Sequence, residues 1–509
     1  MDLTNNPVSS RISSTLNTMP DREAFEIEGV WKTWSDVASI ARALQVRLEV
    51  VGIPAGSVLG LVGRNRMACA SAFLGLLERG DCVIPVSPFQ ASGAIFDDLS
   101  EIAMAGLVAE QSDVDELGLV EICARQAMPL LALQADGSVI ASLAASAPAV
   151  VSNAGTVAFL IGTSGTSGRP KRIPIRYDTL GASIDETAQI NKEFGEEELQ
   201  PWEQPPLIQY SPLVHITGSL SISRAGIDGR RLILLEKFSA IEWIRAIRTY
   251  HHRIAGLPPA MMKMVLDQQP SGEDLSSLTA VWSGSAPVDL RVADEFARLY
   301  DVRILGNYGA TEYCGVIANS HYSDKDEFGD AKKKAVGRIR RNVADFRIVD
   351  TDTGRETDGQ GLLEVRVHRV GPEWVRTSDI ASIDDDDFLY IHGRSDDAIN
   401  RGGFKIVPEI VSDALKLNKS VRDAVVIGIP DPRLGQVPAA VVELYPGEAT
   451  ETPESLMRFA REHLVAYQVP KYIKIVDSLP RTASMKFDRR QLKALFEDSM
   501  QMSKMRDTP

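Results

Sequence analysis

The chain has 509 residues, 44% of them hydrophobic and 24% charged, which is the balance of a globular protein and too much chain for one ordinary core, so two or more domains are expected. A formal net charge of −14 argues against non-specific nucleic-acid binding, so any polyanionic ligand must be held by a local basic site. The start, Met1-Asp-Leu-Thr-Asn-Asn6, lacks the features of a signal peptide, no apolar run approaches the ~18 residues of a membrane span, and Cys69, Cys82, Cys123 and Cys314 show no CxxC spacing. The expectation is a soluble cytoplasmic protein whose cysteines are buried, reduced thiols.

Apolar residues at Val37, Ile40, Ala41, Leu44 and Leu48 predict a helix over Trp34 to Val51, stopped by Gly52. A buried strand is expected at Val58 to Val62, a helix at Met67 to Leu77 and a strand at Cys82 to Val86. Strand and helix alternate from there, which argues for parallel sheets covered by helices. Thr156 to Ile161 reads as another buried strand and opens into Gly162-Thr-Ser-Gly-Thr-Ser-Gly-Arg-Pro-Lys171. Gly162, Gly165 and Gly168 let the main chain turn tightly and approach a ligand. Thr163, Ser164, Thr166 and Ser167 add hydroxyls, and Lys171 adds a positive charge. Such a loop is an anion cradle suited to phosphate. It is not a Walker P-loop, because Arg169-Pro170 separate the last glycine from the lysine. A flexible surface loop of small residues is the plainer alternative.

Further strands are expected at Leu207 to Tyr210, Arg231 to Leu235, Ile254 to Leu257, Leu278 to Trp282 and Val302 to Leu305, with a helix at Ile241 to Tyr250. The last two strands run into Ser283-Gly284-Ser285-Ala286-Pro287 and Gly306-Asn307-Tyr308-Gly309-Ala310-Thr311-Glu312. Ligands in open α/β sheets gather where strand C-termini meet such loops, which places both in one site with the glycine-rich loop. From about Val336 the segments shorten, with strands at Val343 to Val349, Leu362 to Val367 and Phe388 to Ile391 and a solvated turn at Asp384 to Asp387. A final mixed unit begins near Asp397 and contains a strand at Val425 to Ile429, and the polar end 498–509 is expected to fray.

Taken in order, these stretches resemble the adenylate-forming superfamily of acyl-CoA synthetases, peptide-synthetase adenylation domains and luciferases, along nearly the whole chain. The resemblance rests on Thr163-Ser-Gly-Thr-Ser-Gly-Arg-Pro-Lys171, Pro212-Leu-Val-His215, Ser283-Gly-Ser-Ala-Pro287 and Tyr308-Gly-Ala-Thr-Glu312. It continues through Trp374-Val-Arg-Thr-Ser-Asp379, Gly393-Arg-Ser-Asp396, Arg401-Gly-Gly-Phe-Lys405, Pro430 to Pro438 and Leu479-Pro-Arg-Thr-Ala-Ser-Met-Lys486. It implies an α/β fold with a large N-terminal domain of parallel and mixed sheets flanked by helices (1–393). A hinge (394–396, with Asp396 as the hinge residue) and a small, mobile α+β C-terminal domain (397–509) would follow. The substrates it implies are ATP, a small-molecule carboxylic acid and coenzyme A, with Mg²⁺ as cofactor and no nucleic acid or membrane span. The oligomeric state is left open, a homodimer included.

The roles it implies follow the chemistry of acid activation. A carboxylate attacks the α-phosphate of ATP and expels pyrophosphate; both reactants are anions, so the transition state needs fixed donors and positive charge. Lys486 would bridge the acid oxygen and the α-phosphate, and Thr311 would contact phosphate. Glu312, with Thr166, would serve the metal, a hard ion that takes oxygen ligands. The glycine-rich loop with Lys171 would hold phosphates. Gly284, Ser285, Ala286 and Pro287 would pack on adenine with Asn307, Tyr308, Gly309 and Ala310 beside them, and Asp379 and Arg394 would bind ribose. Val214, His215, Trp282 and Ala310 would wall an apolar acid pocket, with a medium-chain, aryl or alicyclic acid as guest. Gly402, Gly403, Phe404 and Lys405 would line the entry tunnel for the thiol of CoA after the small domain turns about Asp396.

Read without the resemblance, His215 is a satisfied surface or core histidine, Lys486 a solvated lysine, Asp379 a turn aspartate, and Lys332 to Lys334 with Arg338, Arg340 and Arg341 a solvated basic face. Three departures from the family pattern stand out. Met485 occupies the position usually held by Gly, which would be strained if φ there is positive. Ile410 and Ser412 stand where two glutamates are usual, and the Asp384 to Asp387 turn lacks a glycine. An acid–CoA ligase is the leading expectation. A stand-alone adenylation enzyme feeding a carrier protein or amine, and a catalytically weakened nucleotide- or acyl-binding relative, are the alternatives.

Overall fold

The strand Val58–Val62 is buried at every position, and a continuous apolar run of this kind belongs in the middle of a parallel sheet covered on both faces. The computed structural model places it there. The structure describes residues 6–89, 95, 97, 99, 102–143, 156–163, 171–192, 199–284, 289–351, 353–447, 451–482 and 485–497. It divides the chain into two compact units, 1–333 with 367–371 and 334–366 with 372–509.

In the first unit Val58–Val62 lies between Cys82–Val86 and Gly106–Glu110, parallel to both. Leu130–Leu133 extends the sheet in parallel on one side, and Val139–Leu143 closes that side antiparallel. On the other side Val157–Thr163 pairs in parallel with Cys82–Val86 and turns back as the antiparallel strand Lys171–Arg176. A second sheet runs in the order Leu207–Gln209, Leu232–Leu234, Glu23–Ile27, Val30–Thr33. In a third, Ile254–Gly256, Ala280–Ser283 and Arg303–Ala310 are parallel and Gly315–Asn319 returns antiparallel. The helix Met67–Glu78 is buried around most of its circumference, as a helix sandwiched between layers must be.

The sheets are therefore mixed, and the α/β class with a large N-terminal region of parallel and mixed strands holds. The predicted helix over Trp34 to Val51 is Trp34–Val50, and a capping box between Thr33 and Asp36 starts it. Elements near the N-terminus were not anticipated. These are the helix Pro7–Thr18, capped by the Asn6 side chain, and the hairpin Glu23–Ile27 with Val30–Thr33.

The second unit holds a four-stranded sheet in the order Ala344–Val349, Gly361–Val367, Val375–Ile383, Leu389–Arg394. Beside it in sequence is a mixed sheet in which Gly435–Leu444 is central, flanked by Val421–Asp431 antiparallel and Tyr472–Val476 parallel. The Asp384 turn is built as a turn: Asp384 Oδ1 accepts from the amides of Asp386 (3.1 Å) and Phe388 (2.9 Å), and Asp387 has φ +64°. Asp387 carries this left-handed conformation without glycine, and Arg341 pairs with its carboxylate at 2.6 Å.

All four cysteines are buried, and burial pushes the thiols of Cys82, Cys123 and Cys314 up to about 12. Only the thiolate is a good nucleophile. The native protein is therefore expected to resist a thiol reagent at neutral pH and to titrate four thiols once unfolded. A fast-reacting thiol in the native state would contradict this packing. Among the described residues no helix is long and apolar enough to cross a membrane.

Candidate active site

In the first unit the strands Ala280–Ser283 and Arg303–Ala310 run side by side with Ser283 opposite Gly306. Their C-terminal ends therefore reach the same edge. Gly284 and Asn307 are in tight contact there, since a Cβ on Gly284 would stand 1.8 Å from Asn307 Oδ1. The strand carrying Tyr308, Gly309 and Ala310 leads into a 3₁₀ turn, Thr311–Tyr313, that presents Thr311 and Glu312. Cys314 closes this turn at φ +53°, and its amide donates to Thr311 O at 3.1 Å.

The turn is pinned from outside by residues that the motif reading did not contain. Ser183, on the helix Tyr177–Lys192, donates from Oγ to Cys314 O, and Arg369 donates from Nε to Tyr313 O at 3.0 Å. Arg369 is paired with Glu186 from the same helix, and only 2% of its side chain is exposed. Burial works to lower the guanidinium pKa, and Glu186 opposes it. No local signal marks Arg369, which lies 56 residues beyond Tyr313 and 183 beyond Glu186.

The glycine-rich stretch connects two strands of a hairpin in which Thr163 stands opposite Lys171. Ser164, Gly165, Thr166, Ser167 and Gly168 lie outside the described residues, as do Ser285, Ala286 and Pro287. His215 is the N-cap of the helix Ile216–Asp228, and its amide donates to Pro212 O at 2.9 Å. Asn65, also absent from the motif reading, fixes this segment: its Nδ2 donates to Ser211 O at 2.9 Å and its Oδ1 accepts from the Leu213 amide at 3.0 Å. Val214, in this segment, is buried.

A cavity of about 250 Å³ lies among the helices Tyr177–Lys192 and Ile216–Asp228 and the strands beside them. Trp282 and Asn307 line it; Val214, His215 and Ala310 are not among its lining residues. Ser221, Arg224 and Val316 are, and sequence reasoning had not singled them out.

In the second unit Asp379 and Arg394 are register partners on adjacent antiparallel strands. Arg394 donates to Ser378 Oγ at 2.5 Å and clasps Asp396 through Nε (2.9 Å) and Nη2 (2.8 Å). Asp396 raises the Arg394 pKa. Burial works against ionising Asp396, but Arg394 outweighs it and holds the carboxyl below its usual range. Gly402 (φ +56°) and Gly403 (φ +93°) form the two-residue turn of a hairpin in which Arg401 faces Phe404. Positive φ at both central positions is what a type I′ turn demands, so the turn itself requires these glycines. Phe404 stacks on Tyr467 with ring centroids 4.7 Å apart, and Lys405 follows on the outer strand. Ser412 is buried with its hydroxyl on Pro408 O at 3.1 Å, while Ile410 is exposed.

Lys486 sits on a tight reversal in which Arg481 bridges Phe487, and Thr482 donates to Lys486 O at 2.8 Å. Met485, next to it, has φ +62°. The position does require the left-handed conformation, and a side chain there costs on the order of 1 kcal/mol. Met485→Gly is therefore expected to stabilise the protein by about 0.5–1 kcal/mol, the relief being partly offset by the greater freedom of glycine in the unfolded chain. Denaturant midpoints check this; a lower midpoint for the variant would show that Met485 makes contacts worth more than its strain.

A half-buried carboxylate on a pinned turn at the ends of parallel strands stands where ligands gather in open α/β sheets. Residues 12–373 match the family described as AMP-binding enzyme, and residues 411–486 match the AMP-binding enzyme C-terminal domain. The chain belongs to this AMP-binding, adenylate-forming family. It is 29% identical over 357 residues to 4-coumarate--CoA ligase-like 5 of Oryza sativa subsp. japonica, a match covering 69% of this chain and 64% of that one. It is 27% identical over 494 residues to 4-coumarate--CoA ligase 3 of the same organism, covering 91% and 87%. ATP-bound MatB from Rhodopseudomonas palustris shares the fold, with a TM-score of 0.81 at 21% identity, covering 97% of this chain and 99% of that one.

Proposed function

We propose that this protein is an ATP-dependent acid–CoA ligase that activates a carboxylic acid with an apolar body, fatty, aryl or alicyclic, through an acyl-adenylate. The observation that carries the reading is the Thr311–Glu312 turn, held by Ser183 and Arg369 at the ends of parallel strands in an AMP-binding enzyme fold. The 4-coumarate--CoA ligases among its relatives support CoA as the acceptor.

In the first step an oxygen of the carboxylate attacks the α-phosphorus, the bond to the bridging oxygen of pyrophosphate breaks, and acyl-AMP forms. In the second the thiol sulfur attacks the acyl carbon, AMP leaves with the bonding pair, and the thiol proton passes to solvent. Thr311 would donate to phosphate, Asp379 and Arg394 would hold ribose, and Lys486 would offset charge in the first step. Glu312, a half-buried carboxylate, would hold Mg²⁺, an ion that accepts a single protein carboxylate when phosphates and water complete its shell. Bound there, the ion would neutralise phosphate charge. A hinge at 394–396, with Asp396 as the hinge residue, would let a mobile domain 397–509 present Lys486 for the first step and Gly402-Gly403 for the second.

The test is pyrophosphate release with ATP, Mg²⁺ and a panel of carboxylic acids, with and without CoA. Turnover that rises with CoA and yields acyl-CoA is expected. Adenylate formation indifferent to CoA would instead assign a carrier protein or amine as acceptor. Silence across the panel, with ATP still bound, would favour a protein that binds without turnover.

A further inference from the structure

The cavity beside Trp282 is not an apolar chamber throughout. Its lining includes Arg224, Arg230 and His252 and no carboxylate. Burial lowers the pKa of His252, whose Nε2 hydrogen-bonds Pro206 O at 2.7 Å, so the fixed positive charge comes from the arginines. Arg230 donates to the neutral Pro205 O at 2.7 Å.

Arg224 is the informative residue. It sits on the helix Ile216–Asp228, three residues beyond Ser221 and lining the cavity with it, and only 11% of its side chain is exposed. Its nearest counter-charge is Asp228, whose Oδ2 stands 3.6 Å from Nε, too far for a hydrogen bond. Nε is buried without a hydrogen-bond partner among the described residues. Asp228 makes its shorter contact, 2.7 Å, with Arg11. A guanidinium taken out of water and left with a loose, shared carboxylate is costly, and a planar five-donor group is suited to gripping a second carboxylate. The plainer reading is a helix-surface pair between residues four apart, but such pairs are exposed and this one is not.

Arg224 lines the same cavity as Trp282 and Asn307, which stand near the ends of the parallel strands, and Ile190, Ile254 and Ala255 give that cavity an apolar wall. We propose that Arg224 binds a second carboxylate at the far end of the substrate, so that the acid activated here is a dicarboxylic acid with an apolar middle. This rests on the ligase reading and narrows its substrate class.

The test compares alkanedioic acids and carboxy-substituted aryl acids with partners in which the distal carboxylate is replaced by methyl. Acyl-CoA formation is measured with the unaltered protein, R224M and R224K, together with melting temperatures and calorimetric binding of the same acids. The unaltered protein is expected to favour each diacid over its methyl partner at least tenfold in kcat/KM. R224M should lose that preference through a roughly tenfold to hundredfold rise in KM for diacids, with kcat and the KM for ATP little changed, and R224K should keep part of it. Efficient use of the methyl partners, with a preference that a folded R224M leaves unchanged, would overturn this inference and leave the ligase standing. Diacid binding that R224M abolishes, in a protein that makes no acyl-CoA, would support the Arg224 site and sink the ligase. Absence of any diacid binding would overturn the site.

Discussion

Lys486→Met is expected to cut acid-dependent pyrophosphate release by about 10²–10³-fold, the effect of removing one fixed charge-stabilising donor from a transition state. The first step brings a carboxylate onto a phosphate that already carries negative charge, and a compact ammonium is a point charge that both anions can share. The Lys486 side chain is exposed on a reversal whose backbone is fixed by other residues: Thr482 donates to Lys486 O at 2.8 Å, and Arg481 ties Met485 O (3.0 Å) to Asp423 (2.8 Å). Removing an exposed head group from such a frame changes stability by no more than about 0.5 kcal/mol. The loss should therefore appear in adenylation with the melting temperature unchanged. Acyl-adenylate supplied to the variant should still react with CoA at close to the normal rate, because the nucleophile in that step is the thiol and no carboxylate is brought onto a phosphate. Equal losses in both half-reactions would show that Lys486 does something other than assist the first.

The parts of this molecule that were legible in its sequence are those whose signal is local. Val58–Val62 and Cys82–Val86 are wholly apolar and wholly buried, so their pattern and their environment say the same thing. Met485 was legible as a departure, and the left-handed backbone found there explains why glycine is the easier residue. Gly402 and Gly403 were legible as residues but not for the hairpin geometry that requires them. The helix Pro7–Thr18 escaped because two of its buried positions, Ser9 and Thr15, are polar and thin out its apolar stripe. The supports of the site escaped for another reason. Asn65 reaches Leu213 across 148 residues and Thr179 reaches Arg369 across 190, and no periodicity within one element can announce a partner on another. Arg224 has the sequence character of a polar helix residue; only the packing around it shows that it faces a cavity.

Gly309→Ala should cost about 10²-fold in turnover while leaving the protein folded, and it tests whether the Thr311–Glu312 turn is held for chemistry. Gly309 pairs with Val316 across the hairpin at a register shift that follows Tyr308. A Cβ added there would stand 2.3 Å from Gly315 O and 2.9 Å from Gly315 C. Both atoms belong to backbone, so no side-chain rotation relieves the clash. Behind Gly315 stands Ser183, whose Oγ would lie 2.6 Å from a Cβ at that position and which is bonded to Cys314 O, so the loop has little room to give. The strand bearing Tyr308 to Ala310 must then move, carrying the turn with it. Overpacking of this kind costs roughly 1–3 kcal/mol, which a unit of this size survives. A displacement of about 1 Å in groups that position reacting atoms is enough for about 10²-fold in rate. The loss should fall on kcat for adenylation more than on ATP binding, since the groups proposed to hold ATP, Asp379, Arg394 and the hairpin that runs back at Lys171, are built on other strands. Full activity in a folded Gly309→Ala protein would mean that the hairpin flexes and that Ser183 and Arg369 secure the fold, not the position of Glu312.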